Sequence, residues 1–425
     1  MSSGGPTAQA VGSVTFIDSS ITDTPIGVRT AHGPDSQPPA GGSLILENVA
    51  LHNVPIAVQG ANNATALEGT PVNTHIDAWG EGHEYTPNGP TVFEGAITPV
   101  NRPGSLLQGD GKYYERSKPQ YQQYPASSFL SARSFGATGN GHTDDTTALQ
   151  RAITTAKARN KILFVDQGNY LVSSTIYVPS GSRIVGESYS VILSSGEYFN
   201  NINKPQPVVR LGLKGESGTV EMSDMIVSTQ GQQRGAVLFE YNLNSPSSSP
   251  SGLWDVHSRV GGFAGSNLQL AECPTTPTIT VTSANLNQNC IAAFLTMHIT
   301  ESSSGLYLEN NWLWVADHDV EDPALTQITV YAGRGLLLES QAGTFWLVGT
   351  AVEHHTKYQY QFADTKNAFA GQVRSHAKHG GKVKTLMPRT DSDRDTVLPT
   401  QSFRPNPVPI RCQLERPSIP NHHRR

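Results

Sequence analysis

The sequence contains little charge and few aromatic residues for its length. Of its 425 residues, 15% are charged, 36% are hydrophobic and 8% are aromatic. An average globular domain is about a quarter charged and nearly half apolar, and helical bundles and coiled coils also require abundant Ala, Glu, Lys and Leu. The composition therefore excludes a coiled coil or a helical bundle. The net charge of −5 and the apolar clusters along the chain argue against a disordered protein.

The sequence also lacks a long apolar run, a typical leader and a cysteine-rich framework. No stretch of about eighteen apolar residues is present, so we expect no membrane-spanning helix. The start, MSSGGPTAQA, lacks the basic and apolar regions of a secretory signal, so we expect no signal peptide in this chain. Of three cysteines, Cys273 and Cys290 flank a Thr- and Pro-rich stretch. This favours a disulfide that closes a surface loop, and two free buried thiols are the alternative.

Charge is also unevenly placed along the chain. The segment 373–425 holds 11 Lys and Arg against 4 Asp and Glu, whereas the segment 1–372 holds 19 against 31. An acidic body is poorly suited to binding nucleic acid or an acidic polysaccharide, because its field repels polyanions. We therefore expect a neutral ligand, and neither nucleic acid nor a membrane as a partner.

The sequence does contain internal repeats. GSVTFIDSSITDTPIGV, which begins at Gly12, returns as GSLILENVALHNVPIAV from Gly42, and GLYLEN from Gly305 returns as GLLLES from Gly335, with the same spacing in both cases. Each unit has short alternating apolar runs separated by turn residues, which is typical of one coil of a parallel β-helix. A β-sandwich also has short strands, but it has no fixed period with matching corner residues.

These patterns predict an all-β fold, a right-handed parallel β-helix in tandem. The predicted divisions are the C-terminal part of a first β-helix at 1–111, a linker along a surface at 112–128, a second β-helix at 129–372 and a tail at 373–425. The alternating pattern stops before the basic, Pro-rich tail, which we predict to be disordered or the product of a gene-model error. Apolar residues at helical spacing after Asp144-Asp145 predict a helix over 145–159 that caps the end of the second β-helix.

Several longer strings resemble known families. FGATGNGHTDDTTALQRAI looks like the opening motif of the pectate-lyase-like β-helix superfamily, although Asn140 stands where the usual form has Asp. ENNWLWVADHDVED, GRGLLLESQAGTFWLVGTAVEHHTKYQYQF and HSRVGGFAGSNLQLAECP resemble glycoside hydrolase family 55, over roughly residues 7–372. This resemblance implies two tandem β-helices and an extracellular enzyme that releases glucose or short oligosaccharides from the ends of β-1,3-glucan with inversion. We expect a monomer without a cofactor.

The sequence departs from the family pattern at both ends. It begins inside the family's first β-helix, so we expect the Gln and Ser that hold the attacking water in the family to be missing. After the EHH string, the family continues into a Gln-Thr-Glu-Thr-Pro stretch whose Glu is the general acid. Here Arg374, Ser375 and His376 stand at those places, in a segment where we expect no strand. Because the carboxylic acid is missing, we expect this chain to be inactive as written.

Glu353 is the candidate catalytic residue, because the resemblance matches it to the water-activating Glu of the family. Inverting hydrolysis needs two carboxyl groups about 6.5–9.5 Å apart, and side chains on neighbouring coils of a β-helix are stacked about 4.8 Å apart. The adjacent His354 and His355 could donate hydrogen bonds, and we expect His354 to contact substrate. From the residues alone, Glu353 could equally be an exposed carboxylate at a corner of the solenoid.

Trp312, Trp314 and Asp317 are the candidate sugar-binding residues. The apolar face of a sugar ring stacks on indole and a carboxylate accepts bonds from hydroxyls, and the resemblance implies these roles for Trp314 and Asp317. The two tryptophans could instead both fill the core, since they point the same way from one strand. The acidic residues that follow lack the order of a calcium-binding loop, so we expect no metal.

The sequence therefore predicts a β-1,3-glucan hydrolase by lineage, and a non-catalytic β-glucan-binding or structural β-helix is the alternative. Other chemistries of the superfamily are poorly supported. Gly141-His142 and His257-Ser258-Arg259 are faint echoes of polygalacturonase and pectate lyase residues, without the carboxylate or calcium cluster that those enzymes need.

Overall fold

The computed structural model describes residues 2–3, 13–32, 43–86, 88–276 and 278–376. They form two compact units, an N-terminal unit that ends at Arg102 and a C-terminal unit that begins at Pro103. Strands of the N-terminal unit are β1 (Ser2–Ser3), β2 (Ser13–Ile17), β3 (Ser20–Thr22), β4 (Ile26–Thr30), β5 (Ser43–Gln59), β6 (Thr65–Thr86) and β7 (Gly89–Ala96). A short 3-10 turn lies at Ala61–Asn63.

The first sequence repeat corresponds to the pairing of strands in the N-terminal unit. β2, β3 and β4 pair in parallel with successive parts of β5, through partners such as Ser13 with Ser43 and Val28 with Val58. Equivalent residues of the two repeats therefore lie side by side on neighbouring coils. Their apolar side chains form one buried cluster, whose fully buried members include Val28, Leu44, Leu46, Leu51 and Val54.

The corners of these coils are formed by Asp and Asn residues in the left-handed conformation. Asp18 and Asn48 have φ of 55° and 53°, and Asp23 and Asn53 have φ of 52° and 53°. Asn and Asp tolerate this conformation better than other non-glycine residues. Asn48 donates a side-chain hydrogen bond to Asp18, and Asn53 Nδ2 donates to Asp23 Oδ1 at 2.9 Å. The matching turn residues of the repeat thus bind each other across the coils.

The parallel arrangement ends at β5, which the sequence did not predict. β5 pairs antiparallel with β6, and β6 pairs antiparallel with β7. Within residues 65–81 no residue has a positive φ, so the chain has no corner there and continues as a long strand. The expectation that residues 1–111 are all part of a β-helix is therefore wrong for β6 and β7.

The C-terminal unit contains β8 (Phe129–Ser131), β9 (Asn140–Asp144), α1 (Thr146–Ala158), β10 (Ile162–Phe164), β11 (Gly168–Val172), β12 (Ile176–Val178), β13 (Arg183–Ser194), β14 (Gln206–Leu211), β15 (Glu221–Thr229), β16 (Ala236–Tyr241), β17 (Ser251–Val260), β18 (Ile291–Ile299), β19 (Leu306–Glu309), β20 (Trp312–Val315), β21 (Tyr331–Leu338), β22 (Phe345–Val348), β23 (Ala351–Glu353), β24 (Tyr358–Phe362), β25 (Ala368–Gly371) and β26 (Arg374–His376). Short 3-10 turns lie at Gly104–Leu106, Ala126–Ser128, Ala132–Phe135, Glu197–Phe199 and Gln288–Cys290.

Parallel pairing between successive coils builds this unit. One sheet runs in the order β12-β14-β16-β18-β21-β24, and another runs β8-β10-β13-β15-β17-β19-β22-β25 with β20, β23 and β26 continuing beside it. A later coil, for example, consists of β19, a corner at Asn310 (φ 54°), β20 and β21. The inward side chains of all three strands form one core, in which Leu308, Leu313 and Leu336 are buried. The predicted all-β parallel β-helix is confirmed.

The helix predicted over 145–159 is α1, Thr146–Ala158, and it packs Leu149, Ala152 and Ile153 onto the same core. Asp145 does not cap it with its side chain, because its carboxylate accepts bonds from the backbone N–H groups of Thr138 and Gly139. In the described part of the chain, no helix has both the length and the apolar character needed to span a bilayer.

A strap, residues 103–128, runs along the outer surface of the C-terminal unit in the direction opposite to the coil order. Near its start, Leu106 O accepts a hydrogen bond from Trp346 Nε1 at 3.0 Å, and Tyr113 stacks on Phe369 with ring centroids 4.1 Å apart. Further on, Arg116 O accepts from Trp254 Nε1 at 3.0 Å. The strap therefore begins before residue 112, where the sequence analysis started its linker.

The middle of the strap is fixed by charge. Lys118 Nζ lies 2.9 Å from Asp224 Oδ1 and 2.8 Å from Asp255 Oδ2, both of which are left-handed corner residues. Tyr121 donates to Glu221 Oε2 at 2.6 Å, and Arg116 forms an ion pair with the other oxygen of Glu221. Successive coils are thereby held to one continuous segment.

The solenoid continues beyond residue 372, where the sequence analysis ended it. β26 pairs in parallel with β23, through Ala351 with Arg374 and Glu353 with His376. The expectation that His376 lies in a segment without strand structure is therefore wrong. The basic and proline residues that follow gave no sign of this short strand in the sequence. Its register comes from pairing with β23 of the preceding coil. The predicted disorder of the rest of the tail concerns residues 377–425, which lie outside the described residues.

Candidate active site

Parallel register stacks the candidate residues in one column on successive coils. Arg259 of β17 pairs with Trp314 of β20, Trp314 pairs with Glu353 of β23, and Glu353 pairs with His376 of β26. Neighbouring strands lie about 4.8 Å apart, so each step along the column is short. Leu313 and Val352, which alternate with these residues, point into the core, so alternation turns Glu353 to the outer face, whereas Trp314 is buried and packs with the core cluster.

Trp312 and Trp314 form a stacked pair on this outer face. Their ring centroids are 4.9 Å apart with planes inclined by 25°. Trp312 is 41% exposed, whereas Trp314 is 4% exposed beneath it. The guanidinium of Arg259 covers another side of Trp314, 5.7 Å from its ring centroid. The alternative in which both tryptophans fill the core does not describe Trp312, whose indole is available to a ligand. It does describe Trp314, which is buried and belongs to the core cluster, so the predicted contact of Trp314 with a sugar is not seen.

Glu353 presents a buried carboxylate beside this pair. Trp312 Nε1 donates a hydrogen bond to Oε2 at 3.0 Å, and Arg374 Nε lies 2.8 Å from Oε1. The ion pair is close but poorly aligned, since Oε1 accepts no hydrogen bond from the described residues. Only 4% of Glu353 is exposed, which excludes the exposed corner carboxylate considered from the sequence. Oε1 is itself buried and faces Arg374, so a water would reach this oxygen only where Arg374 moves aside.

Asp317 lies between two histidines. His318 Nδ1 is 2.8 Å from Asp317 Oδ1, and His354 Nδ1 is 3.9 Å from the same oxygen. His354 Nδ1 also lies 3.0 Å from Val315 O, and because a carbonyl can only accept, Nδ1 carries the proton. His354 adopts a left-handed conformation with φ of 68° directly after Glu353. The structure thus brings together Trp312, Trp314, Asp317, Glu353 and His354.

His355 faces the opposite way and is structural. Its Nε2 lies 3.1 Å from Thr296 Oγ1, and its Nδ1 lies 3.1 Å from Gln359 Oε1. Complete burial lowers the pKa of His355 to about 3, so its imidazole is neutral at ordinary pH. It therefore supports the end of β23 from inside and cannot supply charge to Glu353.

Two residues of this site were not assigned to it from the sequence. His257 Nδ1 accepts a hydrogen bond from the backbone N–H of Trp312 at 3.0 Å, and burial lowers the pKa of His257, which keeps Nδ1 able to accept. Arg259 lies in the column described above. The sequence analysis had connected both with other chemistries, because only coil-to-coil register brings them beside Trp312 and Trp314.

The remaining predicted residues lie away from the column. Cys273 and Cys290 are joined in a disulfide with Cα atoms 5.9 Å apart, at the ends of a loop between β17 and β18. The carboxylate of Asp319 accepts a hydrogen bond from Leu270 N at 3.0 Å and one from Glu321 N at 3.0 Å, so it orders a loop. Among the described residues no group of His, Cys, Asp and Glu is arranged to hold a metal ion.

Comparison with known proteins gives consistent matches. Residues 129–205 match the family described as rhamnogalacturonase A/epimerase, pectate lyase-like. A glucan 1,3-beta-glucosidase of Cochliobolus carbonum is 46% identical, over 87% of this chain and 46% of the relative. A probable glucan endo-1,3-beta-glucosidase of Arthroderma benhamiae is 33% identical, over 94% of this chain and 54% of the relative. The structure of sacteLam55A from Streptomyces sp. SirexAA-E is 16% identical with a TM-score of 0.38, over 86% of this chain and 56% of that one.

The parallel coils of the C-terminal unit and the family match over residues 129–205 define a pectate-lyase-like β-helix in this part of the chain. The chain is similar over most of its length to glucan 1,3-beta-glucosidases, in agreement with the resemblance seen in its sequence. It spans about half the length of the two glucanase relatives.

Proposed function

We propose that this chain carries the sugar-binding and water-activating part of a β-1,3-glucan hydrolase. The observation that carries the proposal is the Glu353 carboxylate, buried on the outer face with Oε2 bound by Trp312 Nε1 and Oε1 facing the exposed side chain of Arg374. A water that displaces Arg374 from Oε1 would lose its proton to Glu353 as it attacks the sugar. An extracellular location and a monomeric state are part of the same proposal and rest on the family resemblance.

The neighbouring residues supply what a glucose unit needs. The exposed indole of Trp312 offers a flat apolar surface for the C–H face of a sugar ring, and Trp314 supports it from below. Asp317, held by His318, offers an acceptor for hydroxyl groups. Since Trp312 both stacks on sugar and donates to Glu353, substrate and base are positioned by the same side chain.

The second carboxyl group of an inverting mechanism is not found where the family resemblance places it. Arg374, Ser375 and His376 occupy that stretch, and Arg374 pairs with Glu353. That stretch therefore offers no carboxylic acid to protonate a leaving alkoxide, and acid–base help is worth about 10²–10⁴-fold in rate. This observation favours a second candidate, a β-glucan-binding protein without turnover.

One experiment separates the two candidates. Glucose release from laminarin and laminarin affinity are measured for the chain, for Glu353→Gln and for Trp312→Ala, with the exposed Glu301→Gln as control. A hydrolase loses about 10²–10⁴-fold of its glucose release in Glu353→Gln and keeps its affinity. A binding protein releases no glucose in any form, and only Trp312→Ala weakens its binding.

The proposed site itself is overturned if Trp312→Ala binds laminarin as tightly as the unaltered chain. Glu353 is not the base if Glu353→Gln releases glucose at the original rate. In both cases Glu301→Gln, which removes a carboxylate from an exposed turn, shows whether loss of one negative charge alone has an effect.

A further inference from the structure

A cleft of about 350 Å³ lies beside Arg259, on the side away from Glu353. Its floor is apolar although it is on the outer face of the solenoid. Val191, Ile226 and Phe263 belong to a small buried cluster separate from the core. Their strand neighbours Ile192 and Val227 point into the core, so Val191 and Ile226 point outward.

The rim of the cleft carries polar groups and one exposed aromatic ring. Tyr189 on β13 is 64% exposed, and Asn140 and Asn169 line the cleft beside it. Arg259 and Glu321 bring one charge of each sign. Because these charges oppose each other, the cleft favours a neutral ligand that has an apolar face and many hydroxyl groups.

Arg259 is unusually ready to bind such a ligand. Its Cζ lies 5.2 Å from the ring centroid of Phe263 and 5.7 Å from that of Trp314, so two aromatic faces hold the guanidinium. Its buried Nε has no hydrogen-bond partner among the described residues. Because this nitrogen is buried, a ligand hydroxyl meets Arg259 at the part of its side chain that lines the cleft.

The cleft continues the column of the candidate active site along the solenoid axis. Val191 pairs with Ile226, and Ile226 pairs with His257, which binds the backbone of Trp312. Arg259 is a wall of the cleft and also covers Trp314. A linear ligand that starts at Trp312 and follows the axis towards earlier coils therefore enters this cleft.

We propose that this cleft binds the part of a β-1,3-glucan chain that extends beyond the sugar held at Trp312, with Tyr189 as the stacking surface and Arg259 as the hydroxyl donor. This inference rests on the proposed function, and it adds a preference for longer oligosaccharides. Short oligosaccharides occupy only the site at Trp312, whereas longer ones also reach Tyr189.

Calorimetric titration with laminaribiose and laminarihexaose tests the inference on the full chain. We expect the hexaose to bind at least about tenfold more tightly, which corresponds to one good aromatic contact. Tyr189→Ala should remove most of this difference by weakening the hexaose and changing the biose less than about twofold. Tyr189→Phe should retain the difference, because stacking does not need the hydroxyl. Tyr198→Ala, which alters an exposed tyrosine outside the cleft, should bind both ligands normally.

Equal affinity for both oligosaccharides, or a hexaose preference that survives in Tyr189→Ala, overturns the inference and leaves the proposed function intact. Binding of neither oligosaccharide overturns the proposed function, and the cleft assignment falls with it. Loss of biose and hexaose affinity together in Tyr189→Ala would place Tyr189 in the primary site and also overturn the inference.

Discussion

The C-terminal unit uses tryptophan in opposite ways on two of its outer faces. Trp254 and Trp346 lie under the strap and are about 1% exposed, and their indole N–H groups bind backbone carbonyl oxygens of Arg116 and Leu106. Trp312 lies on a face without a strap, is 41% exposed, and gives its N–H to the carboxylate of Glu353. Covered indoles fasten the chain to itself, whereas the uncovered indole remains available to a ligand.

The difference comes from the partner and not from the residue type. A backbone carbonyl satisfies an indole N–H and has no acid–base chemistry to offer. A carboxylate can take up a proton, so the indole that binds it also orients a reactive group. The partner of the N–H therefore distinguishes the two structural tryptophans from the candidate sugar-binding tryptophan in this solenoid.

The largest expected effect tests this distinction by truncating one tryptophan of each kind. Trp346→Ala removes a fully buried ring and its bond to the strap, and should lower the free energy of unfolding by about 3–5 kcal/mol. Trp312→Ala should cost less, about 1–2 kcal/mol, because Trp312 is already 41% exposed and the main loss is its hydrogen bond to Glu353. Urea denaturation of both variants measures the contrast. Equal losses of stability would show that the two faces do not differ as described.

A second effect concerns the protonation of His355, which lies on the inner side of the candidate site. Burial lowers the pKa of His355 from 6.5 to about 3. Below pH 6.5 the imidazole of the unfolded chain therefore takes up a proton, while that of the folded protein stays neutral. Stability is complete above pH 6.5 and is lost as the pH falls towards 3, by up to about 1.4 kcal/mol per pH unit. Denaturation between pH 7 and 5 should show this slope.

His355→Gln should flatten that slope, because Gln does not titrate and can still bind Thr296. The exposed His142→Gln is the control and should retain it. A slope that is unchanged in His355→Gln would mean that another group takes up the proton.

The smallest expected effect lies in the strap itself. Tyr121→Phe removes the hydrogen bond to Glu221 but leaves the ring in place, and should cost about 1 kcal/mol. Glu221 keeps its ion pair with Arg116, which limits the loss. Tyr124→Phe, at a partly exposed tyrosine near the strap's end, should change stability by less than about 0.5 kcal/mol. A larger loss in Tyr124→Phe than in Tyr121→Phe would contradict the view that the strap is fixed at its middle.

Local patterns predicted much of the fold. The repeat that begins at Gly12 and Gly42 became the register of β2–β4 with β5, because matching corner residues lie beside each other. The apolar spacing after Asp145 predicted α1 to within one residue at each end. The antiparallel β6 and β7 could not be read in this way, since alternating residues fit a strand of either direction.

The column of the candidate site could not be predicted from sequence patterns. Arg259 is in register with Trp314, and Trp314 is in register with Glu353, although the chain between the first two is longer than the chain between the second two. Because loops of different length, such as the disulfide-closed loop, connect the strands, residues that pair on neighbouring coils are not separated by a constant number of positions in the sequence. Glu353, Trp314 and Asp317 were therefore assigned through the family resemblance, and Arg259 was identified only from the pairing of strands.

The strap also determines how this unit comes apart. In a plain solenoid each coil contacts only its neighbours, so end coils can fray one at a time. Here three residues of the strap contact different coils. Tyr113 stacks on Phe369 of β25, and Arg116 forms an ion pair with Glu221 of β15. Tyr124 accepts a hydrogen bond from Arg183 of β13. A single chain segment thus connects coils that are far apart along the axis. Loss of the last coil frees one end of that segment and weakens its hold on the earlier ones, which makes unfolding cooperative over the whole stack instead of progressive from one end.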